Sequence, residues 1–203
     1  MPDRIPDTRA RAVKVVVLDV DGVLTDNGVY LGTAAGERVE LKRFHIMDGL
    51  GIKMLQWAGL RVVLVSGRES PATAVRAREL GVEARQVDGG HKVPVVASIL
   101  EESDADWAAL AVVADDLADL PVVMRAGLPV AVANAAAEVR AHAAWVTTRA
   151  GGDGAVREFA EALLSARGEW ATLVEAYRRS RDEGGVVGDY LQPATADATE
   201  VVS

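Results

Sequence analysis

Short apolar runs alternate along the chain with longer amphipathic stretches. The strongest runs are rich in valine and almost wholly apolar, as in strands that are buried on both faces of a sheet. The amphipathic stretches between them predict helices, so we expect a parallel sheet with right-handed crossovers and helices on both faces. The runs that predict strands cover residues 13–18, 61–65, 83–87, 109–114, 129–132 and 144–147.

Residues that favour helix starts and ends mark the helices between these runs. Ser70 followed by Pro71 is an N-cap with proline at the first helical position, and Gly81 ends the same helix. Asp48 and Asn134 are predicted to cap two further helices. The other predicted helices are a short one before Pro129 and longer ones over about 92–102, 155–166 and 169–179.

One stretch interrupts the alternation of strands and helices. Residues 29–44 predict a two-stranded projection with a glycine-bearing turn, inserted after the first strand. We assign residues 13–180 to a single domain that carries this projection. Residues 1–12 are predicted to be a flexible lead-in, and residues 181–203, which are rich in Gly, Asp, Ala and Thr, a mobile tail.

Composition narrows the possible partners. The chain has 203 residues, half of them hydrophobic, which suits one domain with a proper core. A formal net charge of −8 argues against a nucleic-acid partner, because phosphate backbones select basic surfaces. The sequence has no cysteine, no apolar run long enough for a membrane span and no signal-peptide pattern, so we expect a cytoplasmic protein without a membrane partner.

Polar and charged residues follow the ends of the predicted strands. The carboxyl ends of parallel strands meet at one edge of the sheet, where ligands of open α/β sheets bind. We therefore expect one site at that edge, built from separate segments of the chain. Its predicted members are Asp19 and Asp21 after the first strand, Ser66 after the second, Lys92 at a helix start, and Asp115 with Asp116 after the fourth.

These residue types suit phosphoryl transfer with a hard cation. Asp19 and Asp115 could hold Mg²⁺, which prefers a few carboxylate oxygens together with water and phosphate. Asp19 could attack phosphorus and form an aspartyl-phosphate, while Asp21 acts as general acid and then as general base. Ser66 and Lys92 would bind the oxygens of the transferred phosphoryl group.

Two other interpretations of these motifs are disfavoured. A calcium-binding loop that begins at Asp19 would have Val23 at its third ligand position, and its closing position holds Tyr30 instead of glutamate. The pair Gly49-x-Gly51 could begin a dinucleotide fingerprint, but Met54 stands at the place of the third glycine. A helix start or a sugar-phosphate contact is the better interpretation of this pair.

The motifs together resemble those of the haloacid dehalogenase superfamily. Longer strings resemble 3-deoxy-D-manno-octulosonate 8-phosphate phosphatases and their sialic-acid-type relatives, and the likeness extends over about residues 13–167. The superfamily-like motifs are Asp19-Val-Asp21-Gly22-Val-Leu-Thr25, Val65-Ser66-Gly67-Arg68, Lys92 and Asp115-Asp116. The longer strings are 44–52, 115–124 and 151–158.

The resemblance implies a Rossmann-like sheet of the haloacid dehalogenase type, with no large cap domain, and a Mg²⁺-dependent phosphatase. It makes Asp19 and Asp115 metal ligands, adds the backbone carbonyl of Asp21 to them, and gives Asp116 a supporting role. It also implies a homotetramer in which the projection at 29–44 meets neighbouring subunits and closes the site. The substrate-binding residues that it implies are His45, Asp48, Gly49, Lys53, Gly67, Arg68 and Arg76.

The predicted function is hydrolysis of an acidic sugar phosphate, either octulosonate 8-phosphate or a nonulosonate phosphate. Two alternatives remain from the sequence. The same chemistry could act on another sugar or nucleotide phosphate, or the chain could be a non-catalytic partner of a nucleotide-sugar enzyme. The intact set of Asp19, Asp21, Lys92 and Asp115 argues against the second alternative.

Overall fold

The computed structural model describes residues 4–191. Within that range the chain forms a parallel sheet, an antiparallel hairpin and helices on both sides of the sheet. The strands are β1 (Val15–Leu18), β2 (Tyr30–Ala34), β3 (Glu37–Leu41), β4 (Arg61–Ser66), β5 (Glu83–Gln86), β6 (Leu110–Ala114), β7 (Leu128–Ala131) and β8 (Trp145–Val146). The predicted α/β fold with a small hairpin insertion is confirmed.

Apart from the first one, which lies in the predicted lead-in, the helices follow the predicted order, with small shifts at their ends. The predicted cap of α3 is confirmed, because the Ser70 hydroxyl accepts a hydrogen bond from the Thr73 N–H and Gly81 ends the helix with a φ of 58°. The helices are α1 (Asp7–Ala12), α2 (Ile46–Trp57), α3 (Pro71–Leu80), α4 (Lys92–Glu102), α5 (Leu120–Val123), α6 (Ala137–His142), α7 (Ala155–Arg167) and α8 (Trp170–Asp182).

Strand β1 occupies the centre of the parallel sheet, whose order is β5-β4-β1-β6-β7-β8. Leu18 at the end of β1 is level with Leu64 of β4 on one side and with Val113 of β6 on the other. The chain leaves β1 toward β4 and later returns to the opposite side at β6. Such a reversal of strand order opens a crevice at the carboxyl ends of the strands, and this is the edge at which we expected the site.

The core explains why β1, β4 and β6 are apolar runs without alternation. All residues of β1, β6 and β7 are buried, since helices cover both faces of the sheet. On one face α2 and α7 approach closely at Gly51, where a Cβ atom would lie 2.9 Å from Cα of Arg157. Each fully buried valine or leucine contributes roughly 1.5–3 kcal/mol, so the strand ends are held rigidly.

The hairpin β2–β3 projects from this body. Its turn residues Ala35 and Gly36 have φ values of 50° and 84°, and positive φ at both turn positions matches the twist of a two-residue hairpin. Large apolar side chains on it face outward, since Tyr30, Leu31 and Leu41 are each about 60% exposed. A single bridge between Thr25 and Phe44 connects the base of the projection to the loop after β1.

The described parts of both ends that were predicted to be flexible form helical elements that pack on the rest of the chain. At the start, Ile5 and Ala10 are fully buried in the core, and α1 lies against α7 through hydrogen bonds from Arg167 to the carbonyls of Ala10 and Val13. This helix has six residues, too few to show a helical period in the sequence. Residues 1–3 lie outside the described range.

At the other end the chain stays folded beyond residue 181. Helix α8 continues to Asp182, and a 3₁₀ turn over Val187–Tyr190 then packs back on it with Val187 buried. The Arg179 guanidinium lies 4.7 Å from the centre of the Tyr190 ring, a cation–π contact. Residues 192–203 of the predicted tail lie outside the described range.

Two predicted helix caps also differ. Helix α2 begins at Ile46, so Asp48 lies inside its first turn. Ala136 occupies the N-cap position of α6, and the Asn134 side chain instead accepts a hydrogen bond from the Gly151 N–H at 2.9 Å. No helix within residues 4–191 combines the length and the apolarity that a membrane span needs.

Candidate active site

The carboxyl edge of the sheet contains a cavity of about 220 Å³. It lies beyond the ends of β1, β4 and β6 and beside the start of α4, as the strand order requires. The residues that line it are Asp19, Asp21, Asn27, Gly67, Arg68, Lys92, Asp115, Asp116, Ala118 and Asp119. Of the predicted catalytic and metal residues, Asp19, Asp21, Lys92 and Asp115 are therefore brought together.

The floor of the cavity consists of Asp19, Lys92, Asp115 and Asp119, all of them buried. The Lys92 ammonium donates to Oδ1 of Asp19 at 2.5 Å and to Oδ1 of Asp119 at 2.7 Å. Burial alone would lower the pKa of Lys92, but the two carboxylates raise it above its ordinary value. Lys92 is therefore positively charged at neutral pH.

The carboxyl groups of the floor repel one another. Carboxylate oxygens of Asp19, Asp115 and Asp119 all lie within 4.8 Å of each other. Burial, followed by the charges of Asp19 and Asp119, raises the pKa of Asp115 to about 8. Burial and the charge of Asp19 likewise raise the pKa of Asp119 to about 7, against the opposing effect of Lys92.

This floor fits a divalent cation. Three carboxylates against one ammonium leave an excess of negative charge in a buried place, and a hard cation would neutralise it with the oxygen ligands that Mg²⁺ prefers. The chain also makes room for Asp115, because a Cβ atom on Gly22 would lie 1.9 Å from Oδ2 of Asp115. Gly22 has a φ of 94°, so glycine suits this position in conformation as well as in space.

Asp119 belongs to this floor although sequence reasoning gave it no role. It stands four residues after Asp115, and its N–H donates to the Asp116 carbonyl, so the turn folds back on the strand end. The signal was present, since Asp119 lies in the string that resembles the phosphatase family. Asp116, predicted to support the site, lines the cavity and accepts a hydrogen bond from the Leu117 N–H at 2.8 Å.

Asp21 and Arg68 line the edge of the cavity, and Glu40 and Lys42, which line a neighbouring groove, contact them. These four residues form the rim. Asp21 follows β1, while Glu40 and Lys42 come from β3 and the segment directly after it. The Lys42 ammonium lies 2.7 Å and 3.0 Å from the two carboxylate oxygens of Asp21, and Arg68 Nη1 lies 4.0 Å from Oδ2 of Asp21. Glu40 holds the other side of the Arg68 guanidinium, 2.5 Å from Nη2. The rim thus joins the hairpin to the loop after β1.

Ser66 ends β4 below the rim and is almost completely buried. Its hydroxyl donates to the Arg68 carbonyl at 3.0 Å and accepts from the Arg68 N–H at 3.4 Å. In this arrangement it shapes the turn through Gly67 that presents Arg68 to the cavity. Its predicted contact with a phosphoryl oxygen stays a prediction.

The predicted substrate-binding residues fall into separate places. Gly67 and Arg68 line the cavity. Arg76 lines a neighbouring groove of about 410 Å³ under the hairpin, where its guanidinium lies 5.8 Å from the centre of the Phe44 ring. Gly49 lies directly against Arg76, since a Cβ atom there would be 2.7 Å from Nη2 of Arg76.

The other three residues have mainly structural surroundings within this chain. Asp48 is buried and its Oδ1 accepts from the Arg157 N–H at 2.8 Å, so it stabilises the start of α7, and burial raises its pKa. His45 lies beside Gly154. Lys53 lies beside Gly81, at the end of α3 opposite the cavity. Their predicted substrate contacts stay predictions.

The glycines at 151–154 support the site from behind. A Cβ atom on Gly151 would lie 1.7 Å from the Gly22 carbonyl oxygen, and the Gly152 N–H donates to the Val23 carbonyl at 3.0 Å. This loop therefore packs backbone against backbone on the turn that follows β1. It fixes the turn that carries Asp21.

Comparisons with known proteins agree with this geometry. Residues 86–159 match the family model of haloacid dehalogenase-like hydrolases. The chain is 38% identical over 162 residues to the 3-deoxy-D-manno-octulosonate 8-phosphate phosphatase KdsC of Salmonella typhi, a match that covers 80% of this chain and 85% of that protein.

Solved structures give the same answer. The phosphatase of that name from Moraxella catarrhalis, in complex with magnesium, phosphate and KDO, matches with a TM-score of 0.79 and 31% identity over 84% of this chain and 97% of that one. The cobalt-bound form of the Haemophilus influenzae enzyme matches with a TM-score of 0.73 and 34% identity over 81% and 94%. The chain therefore belongs to the 3-deoxy-D-manno-octulosonate 8-phosphate phosphatase family of haloacid dehalogenase-like hydrolases.

Proposed function

We propose that this protein is a Mg²⁺-dependent phosphatase that hydrolyses 3-deoxy-D-manno-octulosonate 8-phosphate. One observation carries the proposal: a buried floor of three carboxylates and a lysine at the switch point of the sheet, in a chain that belongs to this family. The related Moraxella catarrhalis enzyme binds magnesium, phosphate and KDO. The cytoplasmic location stays a prediction that rests on the sequence.

Asp19 is the nucleophile in this proposal. One of its oxygens forms a bond to phosphorus as the bond from phosphorus to the sugar oxygen breaks, which gives an aspartyl-phosphate. Burial raises the pKa of Asp19, and the hydrogen bond from Lys92 opposes that effect and favours the ionised form that can attack. Lys92 would also offset the negative charge of the transferred phosphoryl group.

Asp21 transfers the protons. In the first step its carboxyl group gives a proton to the departing sugar oxygen, and in the second it takes one from the water that cleaves the aspartyl-phosphate. Inorganic phosphate leaves and Asp19 is restored. Side-chain exposure fits these two roles, since Asp21 is 19% exposed at the rim and Asp19 is 8% exposed at the floor.

Magnesium would be held by Asp19 and Asp115, together with the backbone carbonyl of Asp21 that the family resemblance implies. When bound, it supplies positive charge that lets an anionic nucleophile and an anionic phosphate approach each other. Asp119 and Lys92, which are hydrogen-bonded to each other, would add one negative and one positive charge to the surroundings of these ligands.

The direct test is phosphate release by the purified protein from a panel that includes octulosonate 8-phosphate, nonulosonate 9-phosphates, simple sugar phosphates and nucleotides, with and without Mg²⁺. We expect the highest kcat/KM on octulosonate 8-phosphate and loss of activity in EDTA. A preference for another phosphate would overturn the substrate but keep the chemistry. Absence of phosphate release from every compound would favour a non-catalytic partner of a nucleotide-sugar enzyme.

We further propose that the protein is a homotetramer assembled through the hairpin. Apolar side chains that are 59% to 80% exposed lie on and near it, an arrangement that marks an interaction surface. These residues are Tyr30, Leu31, Leu41, Ile46 and Val75. A second copy of the chain would cover them and close the groove under the hairpin beside Arg76.

Light scattering coupled to gel filtration tests the assembly. We expect four times the mass of one chain for the natural sequence and a smaller species for Leu31→Glu, because a charge on a covered apolar surface is costly. Val174→Glu, on the 41% exposed side chain of a distant helix, is the matched control and should leave the mass unchanged. A monomeric natural protein at assay concentration would contradict the proposal.

A further inference from the structure

Lys42 is buried in a part of the molecule where apolar side chains are exposed. Its side chain is 0% exposed, whereas its neighbour Leu41 is 61% exposed and Leu31 on the paired strand is 59% exposed. Taking an ammonium out of water is costly even when it is paired, so a surface hairpin gains little stability from turning a lysine inward and leucines outward. The inverted pattern indicates that Lys42 serves the site beneath it.

The contacts of the Lys42 side chain indicate what this role is. Its ammonium contacts both oxygens of the Asp21 carboxylate, and it donates to the Thr73 hydroxyl at 3.3 Å. The nearest other cation, Arg68, is 4.0 Å from Asp21. Lys42 is therefore the closest charged contact of Asp21 among the described residues.

Glu40 fixes the strand that delivers Lys42. Two residues earlier on the same face of β3, it accepts hydrogen bonds from Arg68 and from the Ser70 hydroxyl at the start of α3. Burial alone would raise the pKa of Glu40, but these bonds lower it, so the carboxylate is charged at neutral pH. Glu40 in β3 thus binds Arg68, and Lys42 directly after β3 binds Asp21.

We propose that Lys42 is a positioning residue of the reaction: it holds the Asp21 carboxyl group in place for proton transfer to the departing oxygen. This inference rests on the proposed role of Asp21 and assigns the hairpin a part in the chemistry within its own chain. Asp21 otherwise lies on a turn after β1, where nothing else among residues 4–191 contacts its carboxylate as closely. Orientation of this kind contributes strongly to catalysis.

Substrates with different leaving groups can distinguish a positioning role of Lys42 from a purely structural one. An alkyl phosphate needs a proton on its departing oxygen, whereas p-nitrophenolate departs without one. The ratio kcat/KM covers the first phosphoryl transfer, in which Asp21 acts as the acid. Lys42→Met should lower kcat/KM by about 10–100-fold on the best alkyl phosphate of the panel, and by less than about threefold on p-nitrophenyl phosphate.

Arg38→Met is the matched control, because it removes one positive charge from an exposed position on the same face of β3. Arg38→Met should leave kcat/KM unchanged on both the alkyl phosphate and p-nitrophenyl phosphate. Lys42→Gln, which keeps a polar group in the buried site, replaces Lys42→Met if that variant does not fold, as judged by its melting temperature. Equal losses on both substrates would overturn the proposal and leave Lys42 a purely structural residue.

Asp21→Asn separates this inference from the proposed function. Like Lys42→Met, it should lower kcat/KM more on the alkyl phosphate than on p-nitrophenyl phosphate, and its loss on the alkyl phosphate should exceed that of Lys42→Met. If Asp21→Asn loses equally on both substrates, the assignment of Asp21 as acid fails. If Asp21→Asn shows the inequality and Lys42→Met does not, the inference about Lys42 alone fails.

Discussion

The floor and the rim of the cavity hold similar numbers of charged side chains, but all of those in the floor are buried, whereas two of those in the rim are partly exposed. Side chains of the floor are 4% to 8% exposed and are attached to β1, α4 and the turn after β6. In the rim, Arg68 is 40% exposed and Asp21 19%, whereas the side chains of Glu40 and Lys42 are 9% and 0% exposed and come from the hairpin and the segment directly after it. Interactions between charges are stronger and less screened by salt when water is excluded, so the floor controls the chemistry common to phosphomonoesters. The rim lies where it can contact the part of the substrate that differs from one phosphomonoester to another.

The largest expected effect comes from the floor. Asp19→Asn removes the proposed nucleophile and should lower kcat by at least about 1,000-fold on every phosphate substrate, because an amide oxygen is a far weaker nucleophile than a carboxylate. Phosphate release in the presence of Mg²⁺ measures it.

Asp104→Asn makes the same chemical change at an exposed residue after α4, where φ is already positive and asparagine is well tolerated. It should retain full activity. Substantial turnover by Asp19→Asn would show that the nucleophile is assigned to the wrong residue.

A smaller effect should come from Asp119. Asp119→Asn leaves Lys92 with one carboxylate partner and reduces the negative charge of the floor. We expect a loss of about 10–100-fold in activity or in affinity for Mg²⁺, the size typical of residues that orient metal ligands. Measuring activity as a function of Mg²⁺ concentration separates a loss of activity at saturating Mg²⁺ from a loss of affinity for Mg²⁺.

Asp116→Asn is the comparison for this prediction and should cause a smaller loss, because Asp116 lines the same cavity but is exposed, and its side chain accepts from the neighbouring backbone N–H. A loss at Asp116 equal to that at Asp119 would mean that burial does not distinguish the two acids.

Most of the sheet and much of the floor could be predicted because they depend on local patterns. Valine runs that end in Asp19, Ser66 and Asp115 define both the buried strands and the edge where their ends meet. The role of Asp119 could not be derived in the same way, since it depends on a turn that folds back toward Lys92.

The rim was harder to predict for a similar reason. Lys42 lies near Asp21 only because the hairpin bends over the edge of the sheet, and no period in the sequence encodes that bend. The burial of α1 was likewise invisible, since it depends on contacts with α7 more than 140 residues away.

A substitution of Arg68 tests the role of the rim, and we expect a moderate effect on KM. Arg68→Met should raise KM for octulosonate 8-phosphate about tenfold and leave kcat within about twofold, because a single hydrogen bond to a charged group is worth roughly 1.5–3 kcal/mol and this guanidinium is partly exposed. The loss should shrink as salt is added.

Arg78→Met, on the exposed side of α3, is the control and should leave KM unchanged. If Arg68→Met lowered kcat as strongly as Asp119→Asn does, the functional distinction between floor and rim would be wrong.

The smallest effect concerns stability, and it tests the repulsion within the floor. Without metal the folded protein raises the pKa of Asp115 to about 8, against about 3.9 in an unfolded chain. Between these values the folded state binds a proton that the unfolded state has lost, so the free energy of unfolding falls as the pH rises from about 4 to about 8. Asp119 acts in the same direction.

Asp115→Asn cannot ionise, so in EDTA it should melt above the natural protein at pH 8 and above it by a much smaller margin at pH 5, since about 1 kcal/mol corresponds to 2–4 °C for a chain of this size. Added Mg²⁺ should reverse the order at pH 8, because it stabilises the natural floor and binds the variant poorly. Thermal melts with Asp104→Asn as the reference measure both shifts. Equal melting of Asp115→Asn and the natural protein in EDTA at pH 8 would mean that these carboxylates do not strain the metal-free floor, and the contrast with the rim would then rest on water exclusion alone.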